Sequence, residues 1–390
     1  MKFIETLALG ALTLAISANG APLASQDWAL KKRNAASLTL PANCLKQNNI
    51  GVGWLPDDDN GYISIDTITN TTGPACFYGL YSHFGADLSV SNSDILGDKL
   101  SDVKNSGAIA VLSMMPFSVS LSGVTTEVAA QVALVVKEYT DQGITVLLRF
   151  AHEFNYYTTS GMFHGTSTDF KTAWINIYNA VKSNPKVKMF WSPNNTQNTG
   201  SLAEWWPGDD TVDVVGIDAY KTQSTDTFDS FYQEFYQAYS ASKNLPFVIA
   251  ETGTINDSYK AEWLKELASQ SQSKYSNYVG FSWFEYNKPS EGDFRVVTGP
   301  IDYAKQVLTG MGNNKAASTK SYSTESASHS PTATVGGNQG AKSTAATSQT
   351  TTETPPNSTA TALKSIKDSI SSMQNALESI QSSIAKLESK

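Results

Sequence analysis

The segment Thr126–Phe154 reads TEVAAQVALVVKEYTDQGITVLLRFAHEF and contains the repeating unit of the protein. Its first part, Thr126–Gln142, has apolar residues at helical spacing, and the following Gly143 is typical of a helix end. Its second part, Thr145–Phe154, is an apolar run with polar residues only towards its end, which indicates a strand buried on both faces. The segment therefore predicts a helix followed by a buried parallel strand.

Seven further apolar runs resemble this strand. They are Ile50–Pro56, Cys76–His83, Ala108–Pro116, Val187–Pro193, Val212–Tyr220, Pro246–Gly253 and Tyr278–Tyr286. Helix-like segments lie between several of them, at Asp169–Ser183, Phe228–Ser242 and Tyr259–Ser273. Eight strands that alternate with helices over about 280 residues predict an α/β fold, a (β/α)8 TIM barrel. A doubly wound open sheet is the alternative, although no Gly-rich phosphate turn follows the first strand.

The two ends of the chain differ in composition from this region. Residues 1–20 combine a basic start, a short apolar run and small residues, which predicts a secretory signal peptide. The basic residues 31–33 predict a processing site that ends a propeptide at residues 21–33, with a solvated charge cluster as the alternative. The catalytic barrel would then occupy residues 34–312. Residues 313–360 are rich in Ser and Thr and predict a disordered linker.

The last segment, residues 361–390, has apolar residues at alternating spacings of three and four. They are Leu363, Ile366, Ile370, Met373, Leu377, Ile380, Ile384 and Leu387. This heptad pattern predicts a coiled-coil helix, through which the chain would self-associate. A lone amphipathic helix that docks on the barrel or on a membrane is the alternative.

Charge and cysteine content narrow the class of protein. The net charge of −8 is the sum of +2 for residues 1–33, +2 for residues 313–390 and −12 for residues 34–312. The acidic central region argues against a nucleic-acid partner. No apolar run after residue 20 is long enough to span a bilayer, so no membrane partner is expected. Secretion would favour a disulfide between Cys44 and Cys76, with two separate buried thiols as the alternative. Sequons begin at Asn70, Asn194, Asn256 and Asn357, so we expect an extracellular glycoprotein, which could associate with a cell wall.

Two glutamates end two of the predicted strands. Glu153 follows the fourth strand and Glu251 the seventh, 98 residues apart. That distance corresponds to about three βα units of the usual size of 30 or more residues. Strand alternation would put Arg149, Ala151 and Glu153 on one side, and Phe247, Ile249 and Glu251 likewise on one side. We therefore expect the two carboxyls to face each other across the mouth of the barrel.

Opposed carboxyls are what glycoside hydrolysis requires, since one protonates the departing oxygen and the other attacks the sugar or activates water. The pattern therefore predicts that Glu153 and Glu251 are catalytic and that a polysaccharide is the substrate. Structural ion pairs, for example with Arg149, are the alternative. The four histidines show no metal-binding spacing, so neither a metal nor a cofactor is predicted.

Aromatic residues near these strand ends fit a sugar-binding cleft. Tyr220 ends the sixth strand, where its hydroxyl could bond a carboxylate, and Trp283 ends the eighth, where it could lie beneath a sugar ring. Trp191 and Trp206 could extend this platform, together with Trp205. For each tryptophan, packing in the core is an equally good interpretation.

Three motifs carry a resemblance to glycoside hydrolase family 26. Arg149-Phe150-Ala151-His152-Glu153-Phe154-Asn155 resembles the acid/base strand of that family, and Ile249-Ala250-Glu251-Thr252-Gly253 resembles its nucleophile strand. Trp206–Asp210 together with Val212–Tyr220 is similar to the passage between its fifth and sixth strands. The resemblance covers roughly residues 50–310 and implies a retaining (β/α)8 enzyme.

The resemblance also implies roles for single residues. Glu153 would be the acid/base and Glu251 the nucleophile. His152 and Tyr220 would support them, Trp283 would hold the sugar, and Arg149, Trp191 and Trp206 join the substrate-binding candidates.

The substrate expected from the resemblance is β-1,4-mannan, cut by an endo-acting mannanase. The third strand ends Ser113-Met114-Met115-Pro116-Phe117, without the histidine typical of mannanases, and the loop after Glu153 also differs. A β-glucanase, acting on mixed-linkage or β-1,3-glucan, is therefore an alternative, and so is a non-catalytic glycan-binding wall protein.

Overall fold

The computed structural model describes residues 38–84, 95–117, 119–196 and 198–308. The predicted signal peptide, propeptide, linker and coiled coil lie outside these residues and stay predictions. Within the described ranges, none of the helices has both the length and the apolar character that a membrane span requires.

The strands alternate with helices along the chain. The strands are β1 (Lys46–Gln47), β2 (Ile50–Pro56), β3 (Phe77–His83), β4 (Ile109–Met115), β5 (Val146–Phe150), β6 (Val187–Trp191), β7 (Val214–Val215), β8 (Ala219–Tyr220), β9 (Phe247–Gly253), β10 (Tyr278–Glu285), β11 (Asn287–Lys288) and β12 (Gly292–Asp293). The helices are α1 (Ile65–Thr72), α2 (Asp98–Ser106), α3 (Thr126–Asp141), α4 (Phe154–Ser160), α5 (Ser167–Val181), α6 (Phe228–Phe235), α7 (Asp257–Ala268) and α8 (Tyr303–Leu308). Short 3₁₀ turns at Leu121–Gly123 and Thr199–Trp205, and a π turn at Tyr236–Ala241, complete the set.

The main sheet closes into a barrel of eight parallel positions. The order is β2, β3, β4, β5, β6, β7, β9 and β10, and β2 pairs with both β3 and β10. The short β8 pairs with β9 above β7 and continues the same barrel position. The predicted (β/α)8 barrel is therefore confirmed.

Side chains of the barrel strands divide between two buried clusters. The larger cluster lies between the barrel and its helices and includes Val132 and Val136 of α3 and Trp174 of α5. The smaller cluster fills the barrel interior with residues such as Leu147 and Phe190. This two-sided burial explains why the strands read as continuous apolar runs.

The amino-terminal segment packs against the interior cluster. Leu38 and the half-cystines Cys44 and Cys76 belong to that cluster, at the end where the barrel strands begin. The predicted disulfide is confirmed, with the two sulfurs 2.02 Å apart. It ties the segment before β2 to the residue that precedes β3.

The sixth barrel position differs most from the sequence prediction. The run Val212–Tyr220 forms two short strands, β7 and β8, separated by Gly216 and its neighbours. A Cβ placed on Gly216 would lie 1.9 Å from the carbonyl oxygen of Val248, so only glycine fits at this close approach. The interruption frees Asp218 and Tyr220 to turn towards the mouth of the barrel.

Candidate active site

Glu153 is placed by a turn and not by a strand, so the predicted alternation from Arg149 to Glu153 is wrong. β5 ends at Phe150, and both Ala151 and Glu153 have positive φ angles, 45° and 49°. The Glu153 backbone N–H donates to the Ser192 carbonyl at 2.8 Å, which anchors the turn. Positive φ at residues other than glycine costs free energy and is concentrated at functional sites.

Glu251 reaches the interior through a bulge in β9, so the predicted alternation on this strand is also wrong. Ile249 packs in the outer cluster, whereas Val248 and Ala250 lie in the interior cluster. The register against β10 pairs Phe281 with Ile249 but Trp283 with Thr252, so β9 contains one extra residue there. Such a bulge re-aims the side chains beside it, and here it turns Glu251 inward.

The two glutamates do face each other. Carboxylate oxygens of Glu153, Asp218 and Glu251 all lie within 4.8 Å of one another. Retaining glycosidases hold their two carboxyls about 5–5.5 Å apart, and inverting ones about 6.5–9.5 Å apart. The close approach of Glu153 and Glu251 is therefore nearer to the retaining range than to the inverting one.

Both oxygens of Glu251 accept hydrogen bonds. Arg149 donates to Oε1 through Nη1, and Tyr220 donates to Oε2 through its hydroxyl at 3.0 Å. His152 Nε2 lies 3.6 Å from Oε1. The structure thus brings three of the residues singled out in the sequence, Arg149, His152 and Tyr220, around the Glu251 carboxylate, which is oriented as a nucleophile must be.

Asp218 belongs to the same network, although the sequence analysis did not single it out. Its carboxylate pairs with Nη2 of Arg149 and accepts the Glu251 backbone N–H at 3.1 Å. The Arg149 guanidinium thus pairs with two of the three carboxylates and supplies the positive charge that such a cluster needs. Asp218 ends an apolar run two residues before Tyr220, so the rule that selected the two glutamates could have found it.

Glu153 is suited to act as an acid. Its carboxyl is buried, and burial together with the nearby Glu251 raises its pKa to about 7, against the lowering effects of Arg149, Asn194 and Tyr157. A carboxyl with a pKa near neutrality can give up a proton and later take one back. The two glutamates therefore occupy different electrostatic environments, as acid and nucleophile require.

His152 lies behind the two carboxyls. Burial lowers the pKa of its imidazole well below the usual value, and the adjacent Arg149 lowers it further. The ring stacks on Tyr81, with the ring centres 5.6 Å apart. His152 therefore contributes a neutral ring that packs the site and does not compete with Glu153 for the catalytic proton.

A cavity of about 660 Å³ opens above these residues, and both glutamates line it together with Tyr220. Most of its aromatic lining consists of residues that the sequence analysis did not select: Tyr81, Phe117, Tyr157, Phe284, Tyr286 and Phe294. Phe284 and Tyr286 stack in parallel, with the ring centres 4.2 Å apart. These rings offer the apolar surface that a sugar face needs.

The structure does not place the candidate tryptophans in this lining. Trp283 is fully buried, and its indole N–H donates to the Phe294 carbonyl at 2.8 Å. Trp191 is also fully buried, among Phe154, Phe235 and Tyr239. Trp206 packs edge-on against Trp191. The cavity receives Phe284, the neighbour of Trp283, because the side chains of β10 alternate between the two faces.

Glu285 holds one wall of the cavity in place. It is fully buried, and its carboxylate accepts backbone N–H groups of Val296, Val297 and Thr298 at 2.7–2.9 Å. Because Phe294 lies two residues before this segment, the carboxylate helps to fix an aromatic residue of the lining. Such a structural role leaves no signal in the sequence, since Glu285 looks like one more acid at a strand end.

Comparison with known proteins agrees with this geometry. The profile of "Glycosyl hydrolase family 26" matches residues 116–289, a range that contains both glutamates, Arg149, Asp218 and Tyr220. The chain is a glycosyl hydrolase family 26-like protein. The family resemblance drawn from the sequence motifs is therefore confirmed.

Two named relatives share part of their length with this family 26-like protein. Endoglucanase H of Acetivibrio thermocellus is 27% identical over 215 residues, which are 51% of this chain and 24% of the relative. A beta-1,3-xylanase of an Alcaligenes species is 25% identical over 258 residues, 60% of this chain and 50% of the relative. The chain thus spans a quarter and a half, respectively, of the lengths of these two relatives.

Solved structures show the same fold. The catalytic domain of an endo-beta-1,4-mannanase from Bacillus sp. JAMB-750 superposes with a TM-score of 0.50 at 15% identity, covering 75% of this chain and 92% of that one. A modular endo-beta-1,4-mannanase from Cellulomonas fimi gives 0.51 at 14% identity, covering 70% and 75%. At these identities the likeness concerns the fold of the family 26-like protein and not its substrate.

Proposed function

We propose that this protein is a retaining, endo-acting hydrolase of a β-linked polysaccharide. The observation that carries the proposal is the pair of carboxyls within 4.8 Å, one with a pKa raised to about 7 and the other hydrogen-bonded by Arg149 and Tyr220. This arrangement matches the requirements of double displacement. The family 26 profile over residues 116–289 supports the same reaction.

The chemistry follows from the two environments. Glu153 gives its proton to the glycosidic oxygen while a Glu251 oxygen attacks the anomeric carbon, so that the glycosidic bond breaks and a glycosyl ester forms. Glu153, now a carboxylate, takes a proton from water, and the resulting hydroxide adds to the same carbon and displaces Glu251. Arg149 and Tyr220 bind Glu251 throughout and stabilise it as the leaving carboxylate in the second step.

Endo action is supported by the rim of the cavity. Four large, mainly apolar residues that line it are also exposed: Phe117, Tyr156, Met162 and Ile255. Phe117 follows β4 and Ile255 follows β9, on opposite sides of the barrel. Apolar surface on both sides of the carboxyl pair suits a glycan that extends past the cleavage point in both directions.

The glycan itself has two candidates. We place β-1,4-mannan first, because the resemblance to family 26 implies it. Mixed-linkage or β-1,3-glucan is second, since one named relative is an endoglucanase and Met115 and Phe117 line the cavity where mannanases carry a histidine. We also propose that the protein is secreted, which the Cys44–Cys76 disulfide supports because such bonds persist in oxidising compartments.

The test is hydrolysis of mannan, lichenan, laminarin and xylan by the purified protein. We expect Glu153→Gln and Glu251→Gln to lose at least about 100-fold in rate, the usual contribution of such groups. Glu138→Gln on the exposed face of α3 is the matched control and should keep full activity. Proton NMR of the first product should show the β-anomer.

Two results would contradict the proposal. Activity that survives both active-site substitutions would show that the two glutamates are not required for the reaction. Binding of several glycans without cleavage of any would favour the non-catalytic alternative, in which the barrel only holds a wall polysaccharide.

A further inference from the structure

We propose that Asn194 is a positioning residue for the acid/base Glu153, which it holds so that the transferable proton sits on Oε2. This inference rests on the proposed function. Asn194 follows β6, and its side-chain amide donates from Nδ2 to Oε1 of Glu153 at 2.9 Å. It lines the cavity beside the two carboxyls.

The backbone of Asn194 is held rigidly for this purpose. Its N–H donates to Oδ1 of Asn155 at 2.9 Å, and Nδ2 of Asn155 donates back to its carbonyl at 2.9 Å. On the other side Asn194 forms a parallel bridge with Asp218, and the next N–H, of Asn195, donates to the Asp218 carbonyl at 2.9 Å. The donor is thus fixed between the turn that carries Glu153 and the network that carries Glu251.

A second side chain acts on the same carboxyl from α4. Tyr157 lowers the pKa of Glu153, and its ring packs against Phe163 and edge-on against His152, with ring centres 4.9 and 5.7 Å apart. Tyr157 lies one helical turn after Glu153, and its N–H donates to the Glu153 carbonyl at 2.9 Å. Two side chains, Asn194 from the segment after β6 and Tyr157 from α4, therefore lower the pKa of Glu153.

The chemical consequence concerns both steps of the reaction. An amide N–H cannot accept a proton, so the proton of neutral Glu153 is directed to Oε2, away from Asn194. Hydrogen bonds to the charged form lower the pKa of Glu153 and oppose the effect of burial. They thereby keep the carboxylate form accessible for the second step, in which Glu153 must take a proton from water.

The experiment compares Asn194→Ala with the wild-type protein on two substrates across pH. The substrates are the glycan that the panel identifies and the 2,4-dinitrophenyl β-glycoside of its sugar, whose leaving group needs no proton. We expect kcat/KM on the glycan to fall about tenfold or more, within the range that proton transfer contributes. On the aryl glycoside it should change less than about twofold by the same reasoning.

The pH profile distinguishes the two roles, because a merely structural role of Asn194 would leave the profile unchanged. Loss of one donor to the carboxylate should raise the pKa of Glu153. The alkaline limb of the kcat/KM profile on the glycan should therefore shift to higher pH by about one unit. Tyr157→Phe should shift it in the same direction. Asn195→Ala, which keeps its backbone contact to Asp218, is the matched control and should leave the limb in place.

The outcomes separate this proposal from the function on which it rests. A wild-type protein that cleaves no glycan contradicts the proposed function. Equal losses on both substrates with an unmoved alkaline limb, in an otherwise active enzyme, overturn the role of Asn194. Should Asn194→Ala not fold, Asn194→Ser serves, since Asn155 binds only the backbone of that residue.

Discussion

Arg149 is the residue on which the charges of the site depend. It is fully buried and pairs with both Asp218 and Glu251. As a residue near the end of a predicted strand, Arg149 fits either a structural ion pair or a substrate contact. The structure shows the ion pairs, and one of them holds Glu251, the proposed nucleophile.

We expect Arg149→Met to lower the free energy of unfolding by about 3–5 kcal/mol, because it leaves two buried carboxylates without their positive partner. Urea unfolding measures the change. Arg295→Met is the control, since Arg295 pairs with Asp293 near the surface and its loss should cost only about 0–1 kcal/mol. Equal losses for the two variants would contradict the assigned role of Arg149.

The pKa of Glu153 leads to a prediction about pH. The acid form is required in the first step and is lost as the pH rises through about 7, the raised pKa of this carboxyl. We therefore expect kcat/KM on the glycan to fall tenfold per pH unit on the alkaline side of neutrality. The limb should disappear in Glu153→Ala assayed with a dinitrophenyl glycoside, and its persistence there would assign it to another group.

At the scale of secondary structure, the strands were largely predictable and the positions of their last residues were not. Ile50–Pro56 was predicted with its observed limits, because burial on both faces produces a continuous apolar run. Glu251 and Glu153 were selected correctly as facing residues, yet for the wrong geometric reason. A bulge in β9 and a turn after β5 orient them, and neither changes the apolar pattern.

The disulfide next to β2 and β3 gives an element-scale prediction. It closes a loop over a sequence separation of 32, and cross-linking such a loop lowers the entropy of the unfolded chain by an amount worth about 4 kcal/mol. The double variant Cys44→Ser/Cys76→Ser should lose about that much stability in urea unfolding. The control is Ser101→Ala, on the exposed face of α2, and a loss no larger than its own would contradict the prediction.

At the scale of the whole barrel, the disulfide and the candidate catalytic residues lie at different ends. The interior cluster and the disulfide lie where the strands begin, and both glutamates lie where strands end. The disulfide and the candidate catalytic residues therefore lie at opposite ends of the barrel, and chemistry at the carboxyl ends of the strands is usual for (β/α)8 proteins. The effects of substitutions at the two ends on the free energy of unfolding should therefore be nearly additive.

The predicted coiled coil leads to a prediction about the oligomeric state of the chain. If residues 361–390 associate, the full chain should sediment as an oligomer, because a heptad stripe is stable only when a partner helix covers it. A chain that ends at Gly312 should sediment as a monomer and retain its rate on soluble glycan. The full chain should cleave insoluble glycan faster per barrel, since linked sites raise the effective concentration at a surface. Equal monomer masses for the two would refute the coiled coil.

The sequence by itself determined the class of fold, the disulfide partners and the two catalytic candidates. These follow from local patterns: apolar runs at strand spacing, the presence of only two cysteines, and acids at strand ends. Only the tertiary structure decided which aromatic rings face the cavity and which donors hold Glu153 and Glu251. A bulge, a turn with positive φ and a broken sixth strand set those directions, and each depends on packing against strands distant in sequence. Trp283 and Phe284 are adjacent in the chain, but only the barrel determines which of them can meet a sugar.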